Sequence, residues 1–172
     1  SQNYAVAGQW YRLAAAQEHA PAQHNLGVMY HNGIGVQEDP VEAVRLSQLA
    51  ASQGYAPAQY NLGVRYRDGI GVREDPVEAL RLFQFAAEQG LGAAQYNLGL
   101  MYEEGDGVPT DHVAAYMWLS LAAPRLTGVI RDAVIKNREC TAKHLTSEQL
   151  NEAERLALEW DTEHPHPPSA GV

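Results

Sequence analysis

Seven histidines and one cysteine are the side chains of this 172-residue chain best suited to chemistry. A metal site needs several such donors converging on one ion. His24 and His31 lie two helical turns apart, about 10 Å along a helix axis, too far to share an ion directly. His19, His112 and His144 also lack tight ligand spacing with carboxylates. His164-Pro-His166 sits in a proline-rich tail and reads as incidental. Cys140 follows Glu139 with no base at a designed spacing, so it reads as a small buried hydrophobe rather than a nucleophile. The Gly-x-Gly loops lack the preceding strand and the third glycine or Lys-Ser/Thr of a phosphate cradle. No catalytic, metal-binding or cofactor-binding residue is expected.

Composition bounds the remaining classes. The chain is 45% hydrophobic and 19% charged, as globular domains are. No run of 18 apolar residues exists, so membrane insertion is not expected. Twelve basic against 21 acidic residues give a net charge of −9, which argues against nucleic-acid binding. One cysteine excludes an internal disulfide and leaves the compartment, periplasmic, secreted or cytoplasmic, unassigned.

The elements that position these side chains follow from the glycines. Eleven of the 15 fall on one 36-residue period: Gly27/63/99, Gly33/69/105, Gly35/71/107 and Gly54/90. Residues 23–58 laid over 59–94 give 24 identities in 36. The second half of each unit reads as a helix. Asp39 or Asp75 is its N-cap, Pro40 or Pro76 its first residue, Glu42 or Glu78 completes a capping-box spacing, and Gly54 or Gly90 is a left-handed C′ residue. Ala79, Leu82, Phe83, Ala86 and Ala87 make its apolar stripe. The first half is also helical, with Ala58, Leu62 and Tyr66 spaced by four. Gly63 beside Leu62 implies close approach of two helix backbones, with Ala86 and Ala87 as fitting partners. Each unit is thus a helical hairpin that must stack on its neighbours to bury its faces.

The repeated Ala-Gln-x-Asn-Leu-Gly-x-x-Tyr, Gly-x-Gly-Val, Asp-x-x-x-Ala and Ala-Ala-x-Gln-Gly offsets resemble the Sel1-like repeat, a relative of the tetratricopeptide repeat. The resemblance covers roughly residues 5–123. It implies an all-α fold, a right-handed α-solenoid of antiparallel hairpins with a C-terminal capping helix. Residues 1–160 are expected to form one repeat domain: a half repeat (1–22), repeats at 23–58, 59–94 and 95–123, and a cap at 124–160. Within the cap, 127–143 reads as a helix whose inner face offers Val129, Ala133, Val134 and Cys140. A closing helix then starts at a Thr146–Gln149 capping box. Residues 161–172 read as a disordered tail. The first helix, about 4–18, lacks a first-half partner. That edge, with Trp10, is expected to meet upstream chain, another chain, or a second copy.

The resemblance also implies a non-enzymatic adaptor that binds another protein, as a peptide or helix, in the concave groove. Carried over by helix phase, the groove residues are His24, Val28 and Asn32; Tyr60, Val64 and Asp68; Tyr96, Leu100 and Glu104. His31, Arg67 and Glu103 border it. Residues 73–108 hold seven acids against Arg73 and Arg81, more than half of the net negative charge, which favours a basic partner segment. Two alternatives stay open. Some cysteine-rich Sel1-like proteins have been linked to β-lactam binding or hydrolysis, with a disulfide in each repeat where this chain has one cysteine. The chain could also be a structural spacer in a longer repeat protein.

Overall fold

The computed structural model describes residues 2–165. Every longer element among them is an α-helix: α1 (Gln2–Ala15), α2 (Ala20–Asn32), α3 (Pro40–Ser52), α4 (Ala56–Asp68), α5 (Pro76–Glu88), α6 (Gly92–Glu104), α7 (His112–Ala122), α8 (Gly128–Ala142) and α9 (Ser147–Glu163), with a 3-10 turn at Ala123–Arg125 before α8. The chain forms two compact units, Ser1–Leu82 and Phe83–Val172, and α5 carries residues of both. No described helix is long and apolar enough to cross a membrane.

The repeat sets the helix ends. Asp39 Oδ1 accepts from the amides of Val41 and Glu42, and Asp111 Oδ1 from those of Val113 and Ala114, all at 3.0–3.1 Å. Asp75 does the same for Glu78. The capping box expected at Glu42 and Glu78 is not closed by them. Each carboxylate instead forks onto the arginine three residues on, Arg45 or Arg81, where two charge-assisted bonds replace one to a backbone amide. The loop between the helices turns through left-handed glycines, Gly33 and Gly35 at φ 62° and 71° in the first case. The capping aspartate then donates its own amide back to the previous helix: Asp39 to Tyr30, Asp75 to Tyr66 and Asp111 to Tyr102.

The recurring glutamine has a structural task that the sequence did not reveal. Gln23, Gln59 and Gln95 donate through Nε2 to the carbonyls of Ala15, Ala51 and Ala87, each eight residues back at the end of the preceding helix. Helix ends leave such carbonyls without an intrahelical partner. One side chain per unit thus ties the start of one helix to the end of the one before.

Within the N-terminal unit, α2 packs on α3 through Gly27. A Cβ there would stand 3.2 Å from the Ala43 carbonyl oxygen and 3.4 Å from Leu46 Cβ. Within the C-terminal unit, a Cβ on Gly99 would stand 2.8 Å from Leu119 Cγ. The close approach expected from the Leu-Gly pair is present. Its partners at these two positions are Ala43, Leu46 and Ser47, and Ala115 and Leu119, which lie nearer the N-terminus of the second helix than the Ala-Ala pair. Val44, Ala50, Ala51, Ala58, Leu62 and Leu82 form one core, and Leu119, Ala122, Ala123 and Val134 another.

Trp10 is 69% exposed, whereas Leu46 and Leu82 at the same register are 2% and 3% exposed. With Val6 and Leu13, about one turn to either side, it leaves an open apolar face on α1.

Three expectations about the C-terminal segment are corrected. Cys140 is exposed, not buried. Val129 is 84% exposed, and the inner face of α8 is formed by Val134 and Thr141 with Ile135 partly covered. Cys140 precedes Thr141 by one residue, about 100° of helix rotation, which turns it off that face. Finally, α9 runs to Glu163, three residues into the stretch read as a tail, because no helix breaker occurs before Pro165. Arg125 Nη2 donates to Asp161 Oδ1 at 2.5 Å, and the His164 ring stacks on Trp160 at 4.2 Å. The rest of that tail, from residue 166, lies outside the described residues. The Thr146–Gln149 capping box is present with both bonds.

Candidate partner-binding surface

The residues expected to line a groove occupy the first helices of the hairpins, and each unit presents its own set. In the N-terminal unit, α2 exposes Val28, His31 and Asn32. Asn32 Nδ2 donates back to the Val28 carbonyl at 2.8 Å, so its amide is engaged within its own helix. His24 is half-buried, with its ring edge-to-face against Tyr55 at 5.4 Å and its Nδ1 buried without a hydrogen-bond partner. Burial disfavours the imidazolium and lowers the His24 pKa.

On α4, Tyr60 and Val64 are half-buried. Arg67 forks onto Asp68 with Nε–Oδ1 at 2.7 Å and Nη2–Oδ2 at 3.1 Å. The hydrogen bond from Arg67 holds the Asp68 carboxyl below the usual carboxylate range.

In the C-terminal unit, α6 carries Tyr96, Leu100, Glu103 and Glu104. Leu100 is half-buried and Glu104 exposed. Tyr96 packs against the Leu119–Val134 core, and its hydroxyl accepts from Asn137 Nδ2 of α8 at 3.0 Å. Glu103 turns toward two histidines outside the repeat pattern, with Oε2 3.2 Å from His112 Nδ1 and Oε1 3.9 Å from His144 Nε2. The rings of His112 and His144 stack at 4.7 Å with 20° between planes. Rings so nearly parallel aim their in-plane lone pairs side by side rather than at one point. Among the described residues, no group of three or more His, Cys, Asp or Glu is placed to hold a metal ion. His19 has a different use: its Nδ1 accepts from the Ala22 amide and caps α2.

Two charged side chains escaped the reading of the sequence. Arg65 is 6% exposed, and its Nη1 is buried without a partner. Burial lowers its pKa. The signal for it was the register: Met29 and Met101 stand at the same position in the sister units. Arg125 lies over the Trp160 ring at 5.1 Å and donates through Nη1 to the Leu121 carbonyl at 2.5 Å. It lies beyond the repeat, so no register could point to it.

Helical hairpins with conserved offsets from unit to unit, each buried only by its neighbours, define an α-solenoid repeat protein. The family is shown by the match of four Sel1 repeats, at residues 1–19, 20–55, 56–91 and 92–123, and the chain belongs to the Sel1 repeat family. The matched units begin where α2, α4 and α6 begin, three residues ahead of the boundaries drawn from the sequence. Among solved structures, the chain is similar to a Sel1 repeat protein from Oxalobacter formigenes (38% identity, TM-score 0.66, 70% of this chain and 50% of that one). It is also similar to c5321, described as a protective antigen of uropathogenic Escherichia coli strains displaying an SLR fold (29% identity, TM-score 0.66, 96% of this chain and 44% of that one). The chain thus spans about half the length of these solved relatives. No curated protein sequence matches it significantly. Sel1 repeats are generally non-enzymatic scaffolds that mediate protein–protein contacts.

Proposed function

We propose that this chain is a protein-binding adaptor and that the first helices of its hairpins supply the contact surface. The observation that carries this reading is the pattern of exposure on α2 and α4. Val28 is 37% exposed on a helix whose Leu26 and Gly27 are buried, and Val64 and Arg67 are only partly covered beside buried Leu62 and Gly63. Apolar side chains left open beside a paired, directional arginine suit a peptide or helix with an apolar anchor. The full set is His24, Val28, His31, Asn32, Tyr60, Val64, Arg67, Asp68, Tyr96, Leu100, Glu103 and Glu104. Within it Tyr96 and Glu103 serve mainly to hold the C-terminal unit together. The acids of residues 73–108 favour a basic segment in the partner.

Selection of a displayed peptide library on the full chain tests this. Selected peptides are expected to lose at least tenfold in affinity to Val28→Asp combined with Val64→Asp, with the thermal transition unchanged. Peptides that bind the double variant as tightly as the parent would refute the surface.

A second contact is favoured by α1, where Trp10 stands open at a register buried elsewhere. We propose self-association through this edge. Gel filtration of the chain and of Trp10→Glu is the measurement, and an equal elution volume for both across concentrations would count against it.

A further inference from the structure

We propose that the cleft between α1, α2 and α3 is a separate peptide site, which takes an acidic side chain of a partner segment together with the aliphatic residue beside it. The cleft lies within the N-terminal unit and has a volume of about 360 Å³. Leu26 and Leu46, 4% and 2% exposed, make its floor, and Leu49, 39% exposed, stands at its rim. Arg12, Tyr30, Glu42 and Arg45 supply its polar groups. An apolar floor with a few placed polar groups, in roughly 300–1,000 Å³, is the usual make-up of a ligand site.

The charges in this cleft do not cancel. Both oxygens of Glu42 accept from Arg45, at 2.6 and 2.7 Å, which leaves that pair neutral. The Arg12 guanidinium lies over the Tyr30 ring at 5.9 Å, and its Nη2 donates to the Tyr30 hydroxyl at 3.3 Å. Among the described residues no carboxylate pairs with it. A positive charge is thus left over in a chain whose net charge is −9.

The bond to the tyrosine does not require that charge. Gln48 and Gln84 stand at the register of Arg12, one and two repeats on. In the C-terminal unit Gln84 Nε2 donates to the Tyr102 hydroxyl at 3.3 Å, the same bond made by a neutral amide. The last turn of α1 favours a cation, but that is an effect on stability and does not call for a guanidinium over an apolar cleft. The unused N–H groups of the Arg12 fork match a carboxylate. Glu42 at the same cleft opposes a more highly charged anion, so a single carboxylate fits best. Tyrosine and arginine side by side are also the residue types that dominate protein contacts.

The cleft is distinct from the contacts proposed above. Leu26 and Tyr30 each lie two residues from Val28, a rotation of about 200° on α2, and the same spacing separates Arg12 from Trp10 on α1. An acidic segment bound here leaves the Val28 and Val64 surface open for a basic one.

Titration of the nitrogen-labelled full chain with N-acetyl-Leu-Glu-Leu-amide tests the site, read by the shifts of backbone amides and arginine Nε groups. Saturable shifts are expected around Arg12, Tyr30 and Leu49. The Leu-Gln-Leu counterpart should bind about threefold more weakly, the scale of a partly exposed ion pair. Arg12→Gln should bind the Glu peptide no better than the parent binds the Gln peptide. Equal affinity of the parent for both peptides overturns the proposal, as does the absence of saturable shifts in these three helices. Sodium acetate moving the same groups equally would also overturn it, since the aliphatic neighbour would then play no part. Arg12→Gln that lowers the thermal transition but keeps the parental affinity would leave Arg12 a structural role only. Should that variant fail to fold, Leu49→Glu at the rim carries the same test: weaker binding of the Glu peptide supports the site, and parental affinity overturns it.

Discussion

The N-terminal and C-terminal units use the same hairpin and depart from it in opposite ways. In the N-terminal unit the departures are single residues placed inside the repeat. Glu18 takes a left-handed φ of 60° at the register where Gly54 and Gly90 stand. Arg65 sits at 6% exposure where Met29 and Met101 stand. In the C-terminal unit α6 keeps the repeat, and the departures are attachments. Tyr96 accepts from Asn137, Glu103 meets His112 and His144, and Leu119 beneath Gly99 is shared with Val134 of α8. The comparison separates two costs. An in-register substitution strains a slot shaped for another side chain. An attachment uses side chains that the repeat would otherwise leave free for a partner.

The largest expected effect tests the attachments. Leu119→Ala should destabilise by about 3 kcal/mol, within the 2–5 kcal/mol typical of a buried leucine, because the side chain is 0% exposed and packs against Gly99, Ala122 and Val134. Denaturation followed by far-UV circular dichroism measures it. A loss below about 1 kcal/mol would mean that this core collapses around the gap.

Arg65→Met tests the in-register departure with the opposite sign. It restores the sister-unit residue and removes a buried cation with an unpaired Nη1, so it should stabilise by about 1–3 kcal/mol. Destabilisation in the same denaturation experiment would show that the guanidinium is better satisfied in solution than its geometry suggests. Glu18→Gly is the milder case. Relief of a left-handed non-glycine residue is worth about 1–2 kcal/mol, offset by the extra freedom of glycine in the unfolded chain, leaving a gain of about 0.5 kcal/mol.

The smallest effect concerns pH. Burial lowers the His24 pKa, so the unfolded chain binds a proton more readily than the folded one. His24 therefore adds stability above its unfolded value of about 6.5, and this is lost as pH falls below that value. The loss is expected to be the smallest of these effects, since the ring is only half-buried and water screens it. His24→Gln should flatten the slope of the N-terminal unit between pH 7 and 5. Residue-resolved hydrogen exchange should see α2 loosen over this range.

The hairpins were legible because their determinants are local. Asp39, Pro40, Gly33, Gly35 and Gly54 fix caps and turns through backbone geometry a few residues long, and a 36-residue period repeats them where one occurrence would have been weak. Candidate surface residues were legible only as a helix phase. The phase put Tyr96 and Glu103 beside Leu100 and Glu104, but it could not tell which would be captured by α8 or by His144. Cys140 and Val129 were misplaced for the same reason: α8 has no sister copy to show which of its faces is turned inward.

The amino-acid order by itself determined the helical hairpin, its length, its caps and its membership of a repeat class, because each rests on hydrogen bonds and dihedral preferences within one unit. Tertiary structure alone decided the partners of Glu103, Tyr96 and Arg125 and the burial of Arg65. These depend on where a side chain's last few ångströms end among residues up to 41 positions away, and neither periodicity nor spacing encodes that.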